Sequence, residues 1–498
     1  MISRKDLDKP VCNCGVFGII GDENASAKAY YGLHALQHRG QEAAGIISLS
    51  NGNGSKKKKQ VNIHKSLGLV SEIFSAKNMF TEKLTGSSAI GHNRYSTSGS
   101  SQSNKNIQPF VVNYRLGNLA IAHNGNLTNA KEIRKGLIDD GSIFQTTSDT
   151  EVILHLIARS RLEKQEDQIR EALNIVKGAY SLVILTDDKL IGARDPQGFR
   201  PLCIGKLNGS FIITSETCAL DINSAEYVRD VEPGEVVIID RNAKNESEIK
   251  SFYMDSVDKS VKHCIFEFIY FSRPDSKIFK TNVDKMRRKL GKVLAMNHPV
   301  VDKDGGKVIV ISVPDSSNTA ALGYQSQLEK MDISSKFEIG LLRSHYIGRT
   351  FIIPGQENRE IGVKIKFNTV KGVLEGRTVV VVDDSIVRGT TSKLLVNLIK
   401  EANPKEVHLR ISSPMISYPC YYGMDFPSRE ELIANKMNGD IEKIRKELGV
   451  DSIAYLEIDE MLDAMVDHKR EDFCTACFSG NYPVKINENF NKEAYYDD

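Results

Sequence analysis

The chain reads as two joined units of different class: an α+β unit built on antiparallel strands, then an α/β unit built on a parallel sheet. Three observations predict this. Tyr180-Ser181-Leu182-Val183-Ile184-Leu185-Thr186, the pair Asp187-Asp188, and Lys189-Leu190-Ile191-Gly192-Ala193 read as strand, turn and strand, an antiparallel pattern. Val379-Val380-Val381-Val382 is β-branched without polar alternation, the habit of a strand buried on both faces of a parallel sheet. Past residue 250, strand-like runs alternate with helical ones, which is how α/β units are wound. A chain of 498 residues has room for two or three such domains, and no internal repeat is visible.

Composition narrows the function classes. Apolar content of 40% with 26% charged residues fits a soluble globular protein. The net charge of +2 gives no reason to expect a nucleic-acid or membrane partner. No apolar run reaches the ~18 residues a spanning helix needs. Lys56 to Lys59 follow Asn51-Gly52-Asn53-Gly54-Ser55, which reads as a solvated loop between strands. Residues 1 to 10 contain acids and lack an apolar stretch, unlike a secretory or transit signal. A cytosolic location is expected, with the eight cysteines as thiols rather than disulfides.

Taken in order, the first unit opens on Cys14-Gly15-Val16-Phe17-Gly18-Ile19. A nucleophile so near the start suggests that residues 1 to 13 are a removed propeptide, leaving Cys14 as the mature N-terminus. Its thiol, with an ordinary pKa of about 8.5, would then sit on the same residue as an α-amine of about 7.7 to 8, and such an amine can act as base for its own side chain. The plainer alternative is a buried strand holding a small cysteine. Cys12 lacks the following Gly-Val-Phe-Gly, so Cys14 is the candidate.

Four further blocks follow: His38-Arg39-Gly40-Gln41-Glu42, Gly91-His92-Asn93-Arg94-Tyr95-Ser96-Thr97, His123-Asn124-Gly125-Asn126 and Ser148-Asp149-Thr150-Glu151. In order and spacing they resemble the glutaminase domain of the class II amidotransferases, a family of N-terminal nucleophiles with a four-layer αββα sandwich. The resemblance implies catalysis by Cys14, Asn124 and Gly125, and glutamine binding by Arg39, Arg94, Thr97 and Asp149. The chemistry is coherent. Arg94 offers a planar fork to a carboxylate, Asp149 can hold an ammonium, and the Asn124 amide with the Gly125 N–H can donate to an oxyanion. Val231-Glu232-Pro233-Gly234-Glu235, a strand-like run to Asp240, and the polar stretch from Asn242 to Lys250 close the unit. Its expected span is 14–250.

In the second unit, 251–483, the valine run leads into Asp383-Asp384-Ser385-Ile386-Val387-Arg388-Gly389-Thr390-Thr391, followed by helical apolar spacing from Ser392 to Lys400. Strand, acid pair, polar turn and helix place a ligand at the carboxyl edge of the sheet. The turn N–H groups and the helix start favour a phosphate, and the acids suit ribose hydroxyls or Mg²⁺. There is no G-x-G-x-x-G and no Gly-Lys followed by Ser or Thr, which excludes a dinucleotide fingerprint and a P-loop. The segment resembles the phosphoribosylpyrophosphate motif of the type I phosphoribosyltransferases. That resemblance assigns Asp383 through Thr391 to the substrate and Val313-Pro314-Asp315-Ser316-Ser317 to its pyrophosphate. It places Mg²⁺ on Ser317, Asp383 and Asp384, and makes Arg343 to Glu360, with Arg349, a closing flap. Residues 484–498 are an expected tail.

A class II glutaminase followed by a phosphoribosyltransferase resembles a family that joins the two. It implies hydrolysis of glutamine and attack of the ammonia on C1 of 5-phosphoribosyl 1-pyrophosphate, giving 5-phosphoribosylamine, pyrophosphate and glutamate at the opening of purine synthesis. The rival expectations are a class II amidotransferase with another acceptor, against which the Asp383–Thr391 motif speaks, and a non-catalytic sensor, against which intact Cys14, Arg94, Asn124 and Asp149 speak. Cys474-Thr475-Ala476-Cys477 with Cys264 and Cys420 could form a four-thiolate site, which by chemistry alone suits zinc or a [4Fe–4S] cluster. The resemblance favours the cluster. It also implies a homotetramer and inhibition by purine nucleotides. Cys203 and Cys218 sit in apolar surroundings and are expected in the core.

Overall fold

The computed structural model describes residues 14–51, 59–95, 104–255, 260–344, 364–426 and 428–486. Two antiparallel sheets form the first unit. The seven-stranded sheet runs, edge to edge, Glu226–Asp230, Cys203–Leu207, Ser210–Thr214, Gly15–Ile20, Ser88–Arg94, Ala43–Asn51 and Lys59–Leu67. The six-stranded sheet runs Lys250–Tyr253, Glu235–Asp240, Lys189–Arg194, Gly178–Thr186, Gly117–Leu127 and Phe110–Tyr114. Val16, Ile90 and Ile213 of one sheet meet Ala122, Val183 and Val237 of the other in one buried layer. Alternation along each strand turns the remaining apolar side chains outward. There they meet the Ala25–Ala35 helix on one face, and the Thr150–Arg159 and Gln165–Ile175 helices on the other. This is the expected αββα sandwich.

The second unit holds a five-stranded sheet in the order Ser335–Phe337, Val308–Ser312, Thr378–Asp383, Glu406–Ile411 and Ser452–Tyr455, with every pairing parallel. The valine run alternates as a doubly covered strand must. Val380 and Val382 enter the core shared with the Val283–Asn297 and Asn318–Lys330 helices, whereas Val379 and Val381 enter the core shared with the Thr390–Lys400 and Ile441–Leu448 helices.

Two boundaries move. The Lys250–Tyr253 strand pairs with Glu235–Asp240, Met254 packs in the same core, and the Asp255 N–H donates to Asn174 Oδ1 at 3.1 Å. The first unit therefore continues past residue 250, at least to residue 255, because the polar stretch is a hairpin connection, not a linker. Val484 exchanges two hydrogen bonds with the Tyr422 hydroxyl, at 2.8 and 3.0 Å, so it belongs to the body and not to a tail.

Candidate active sites

Cys14 immediately precedes Gly15–Ile20, the central strand of the seven-stranded sheet, which lies between Ser88–Arg94 and Ser210–Thr214. Its thiol donates to the Tyr95 carbonyl at 3.5 Å. Burial pushes that thiol up to about 11, against smaller opposing effects of the Tyr95 hydrogen bond and Arg94. A buried thiol lacks water to stabilise its anion. Beside it lies a small cavity lined by Cys14, Arg94, Tyr95, Asn106, Gln108, His123, Gly125, Ser148 and Asp149.

The oxyanion candidates sit on the Gly117–Leu127 strand of the opposite sheet. Asn124 is fully buried, and neither polar atom of its side chain has a hydrogen-bond partner among the described residues. An amide left so is out of keeping with folded interiors unless a ligand completes it. Gly125 lines the cavity at φ +152°, and a Cβ there would stand 2.0 Å from the Ala179 carbonyl oxygen. Gly125→Ala is therefore expected to shift this strand. Since losing one oxyanion donor costs about 10²–10³ in kcat, glutaminase turnover should fall by that order while ammonia-dependent synthesis stays. Steady-state assay of both routes checks this.

Asp149 stands before the Thr150–Arg159 helix and accepts from the Leu127 N–H at 2.9 Å. Burial alone would raise its carboxyl. His123, with hydrogen bonds from Leu127 and Thr150, outweighs that and holds the carboxyl below its ordinary value. An anion at neutral pH suits an ammonium partner. His123 Nδ1 lies 3.0 Å from the Thr150 hydroxyl, and its Nε2 has no hydrogen-bond partner among the described residues. Gln108 accepts from the His123 N–H at 2.8 Å and donates to Thr150 at 3.1 Å. Asn106 and Gln108 carry no sequence signal and were not anticipated. Thr97 lies outside the described residues.

Arg39 departs from its expected place. It does not line the cavity. It is fully buried, donating to Glu216, to both carboxylate oxygens of Glu267 at 2.7 and 3.0 Å, and to the Cys14 carbonyl at 3.4 Å. Two carboxylates already occupy the fork, so the side chain supports the site from behind instead of meeting a substrate carboxylate.

In the second unit, the loops after Val308–Ser312 and Thr378–Asp383 lie side by side because those strands pair directly. Asp383 and Asp384 are each 1% exposed. Ser317 donates to Asp383 at 3.1 Å and to Asp384 at 3.3 Å; Ser316 donates to Asp384 at 2.5 Å and Ser385 at 2.7 Å. Gly389 caps the Thr390–Lys400 helix at φ +83°, where a Cβ would also strike Ile433 at 2.4 Å. The main-chain N–H groups of such a loop and helix start suit a phosphate. Thr390 is exposed and Thr391 half-buried, whereas Arg388 leans towards Glu431, 3.5 Å away. Ile386 and Val387 turn their side chains into the cores on either side of the sheet, so any ligand contact there is made by main chain. Arg349 and most of the flap lie outside the described residues.

Cys264 and Cys474 are register partners in a two-stranded parallel pairing, and Cys477 sits on the short helix Ala476–Ser479. The N–H groups of Ser417 and Tyr418 bond the Cys477 carbonyl at 3.1 and 3.0 Å, drawing in the segment that carries Cys420. All four are buried. Burial raises Cys264 to about 11 and Cys474 and Cys477 further, and mutual repulsion adds to it: Cys477 feels Cys420, Cys474 and Cys264 together. Cys203 and Cys218 lie in the core as expected.

Fold and sites together define a class II glutaminase joined to a type I phosphoribosyltransferase. Residues 92–221 match the family model of the glutamine amidotransferase domain. The chain is 50% identical to the chloroplastic amidophosphoribosyltransferase of Vigna aconitifolia, over 99% of its own length and 95% of the relative's. It is 46% identical to the amidophosphoribosyltransferase of Bacillus subtilis, over 95% and 94%. The solved structure of the B. subtilis glutamine phosphoribosylpyrophosphate amidotransferase, complexed with ADP and GMP, superposes with a TM-score of 0.84 at 44% identity, covering 96% of this chain and 98% of that one. The chain belongs to the amidophosphoribosyltransferase family.

Proposed function

We propose that Cys14 attacks the carboxamide of glutamine, that ammonia leaves, that water releases glutamate from the thioester, and that the ammonia displaces pyrophosphate from C1 of 5-phosphoribosyl 1-pyrophosphate. The observation that carries this is the pairing on one chain of the Cys14 cavity, with its unpartnered Asn124 amide, and the Asp383–Gly389 cradle. Arg94 and Asp149, which line that cavity, take the glutamine carboxylate and ammonium. Asp383 and Asp384 hold the ribose, and the N–H groups from Ser385 to Thr391 hold the 5-phosphate. Ammonia is nucleophilic only when deprotonated, so a path closed to water would protect it between sites. Incubating the protein with both substrates and Mg²⁺ should yield glutamate and pyrophosphate in equal amounts; glutamate without pyrophosphate would sink the reading.

Oxygen donors at Ser317, Asp383 and Asp384 fit a hard cation, and Mg²⁺ there would neutralise the leaving pyrophosphate. Cys264, Cys420, Cys474 and Cys477 fit a [4Fe–4S] cluster, one thiolate per iron. Thiolates need a positively charged group to replace their protons in so buried a place. Among the described residues no group of three or more His, Cys, Asp or Glu side chains is placed to hold a metal ion, so the choice of the cluster over zinc rests on the family resemblance. Neither reaction step is redox, so the group would be structural. Cys474→Ser is expected to lose the brown colour and the roughly four irons per chain. Zinc without iron in anaerobic preparations would refute the cluster.

Removal of residues 1–13 belongs to the same proposal. With the Cys14 thiol raised to about 11, a base is needed at neutral pH, and a free α-amine supplies it. N-terminal sequencing of active enzyme should begin at Cys14; Met1 or Cys12 in active protein would overturn this. A homotetramer, inhibition by purine nucleotides and a cytosolic location complete the reading. Mass photometry, inhibition by AMP and GMP, and cell fractionation test them in turn.

A further inference from the structure

Four charged side chains at the junction of the two units have no exposure at all: Arg39, Arg200, Glu216 and Glu267. The second unit supplies Glu267. It takes both terminal nitrogens of Arg39, at 3.0 and 2.7 Å, accepts from Arg200 at 3.2 Å, and is steadied by the Ser272 hydroxyl at 2.7 Å. Arg39 turns its Nε–H to the carbonyl of Cys14 at 3.4 Å. Arg200 donates at 2.8 Å to the carbonyl of Tyr422, two residues past Cys420. A second link runs in parallel. Asn126, two residues past Asn124, donates to the Tyr421 carbonyl at 2.9 Å. The nucleophile strand and the oxyanion strand are thus both fastened to the segment that carries Cys420.

Buried ion pairs are poor stabilisers. An apolar replacement is often neutral or better, and their best attested use is to specify register. A bidentate guanidinium–carboxylate pair fixes direction as well as distance. Here the direction it fixes is that of the Nε–H facing Cys14. Gly40 keeps this support close, because a Cβ there would meet the main chain of Arg94 at 2.7 Å. A nucleophile displaced by about 1 Å can lose about 10²-fold in rate.

We propose that Glu267 is a positioning residue for the glutaminase nucleophile: it holds Arg39 against the Cys14 carbonyl and, through Arg200, ties the glutamine cavity to the four-cysteine core. This rests on Cys14 being the nucleophile. Glu267 touches no substrate. Its effect is exerted through the main chain at Cys14, so it governs turnover and leaves the glutamine contacts of Arg94 and Asp149 alone.

The test uses full-length Glu267→Gln, which keeps the shape and removes the charge. The kcat for glutamine-dependent synthesis should fall by about 10²-fold, with KM for glutamine, iron content and ammonia-dependent synthesis near wild type. Labelling by 6-diazo-5-oxo-norleucine, which needs a correctly aimed thiol, should slow by the same factor. Labelling by iodoacetamide, which does not, should be unchanged. Wild-type kcat and diazo-labelling in this variant would overturn the proposal. If Glu267→Gln fails to fold, Arg39→Lys, which keeps the charge but not the fork, is read in the same way. Loss of iron and of the ammonia route in both variants would make the network merely structural and overturn the proposal. Peptide mapping of the labelled wild type separates the two claims: a label away from Cys14 overturns the nucleophile assignment itself.

Discussion

Cys14→Ala should abolish glutamine-dependent synthesis, by more than about 10³-fold, and leave synthesis from ammonium salts intact. Among the described residues that line the cavity, the thiol is the one group able to form a thioester, and the rest of the lining belongs to other strands and loops. With the thiol raised to about 11, only about one in 10⁴ would be ionised at pH 7 without help, so neither solvent nor a neighbouring alcohol can substitute for an activated sulfur. Cys14→Ser should be nearly as inactive, since a hydroxyl is a far weaker acid and nucleophile. The acceptor site is built on a different sheet, which is why the ammonia route survives. Glutamate and pyrophosphate release, each measured with glutamine and with ammonium chloride, decide the matter. A folded Cys14→Ala protein that lost both routes would show that the two sites do not divide the reaction.

Where the chain signals its structure locally, the reading held. The Tyr180–Ala193 hairpin and the alternation of Val379 to Val382 between two cores follow from side-chain pattern alone. Cys14, Arg94, Gly125 and Asp149, scattered over four blocks, do line one cavity. Arg39 was misplaced because its role depends on Glu216 and Glu267, separated from it by 177 and 228 residues. No local pattern says whether a guanidinium will meet a substrate or two buried carboxylates. Asn106 and Gln108 act through bonds to Thr147, Thr150 and His123 that only the fold creates. Ile386 and Val387 were assigned by membership of a motif, yet a motif fixes main-chain shape, and its apolar members anchor that shape from below. The boundary at Lys250 failed because Ser251-Phe252-Tyr253 is too short an alternation to stand out after a polar stretch.

The double variant Asp383→Asn with Asp384→Asn should lose synthesis by both routes. The carboxylates sit at the carboxyl end of the central strand, each 1% exposed; Asp383 takes the Ser317 hydroxyl, and Asp384 takes those of Ser316, Ser317 and Ser385. An amide keeps the shape but can accept at only one atom, so at Asp384, where both oxygens accept, one set of serines loses its partner or faces a second donor. The substrate side loses more. Ribose hydroxyls, and any hard cation, need anionic oxygen at this edge, and a hydrogen bond to a charged group is worth about 1.5–3 kcal/mol. Two such bonds correspond to about 10²–10⁴-fold in kcat/KM for phosphoribosylpyrophosphate, whether nitrogen comes from glutamine or from added ammonia. Hydrolysis of glutamine at Cys14 should continue at its basal rate, since no residue lining that cavity is altered. Near-wild-type kcat/KM with ammonia in the folded double variant would remove the acid pair from substrate binding and leave the phosphate cradle as the whole of the acceptor site.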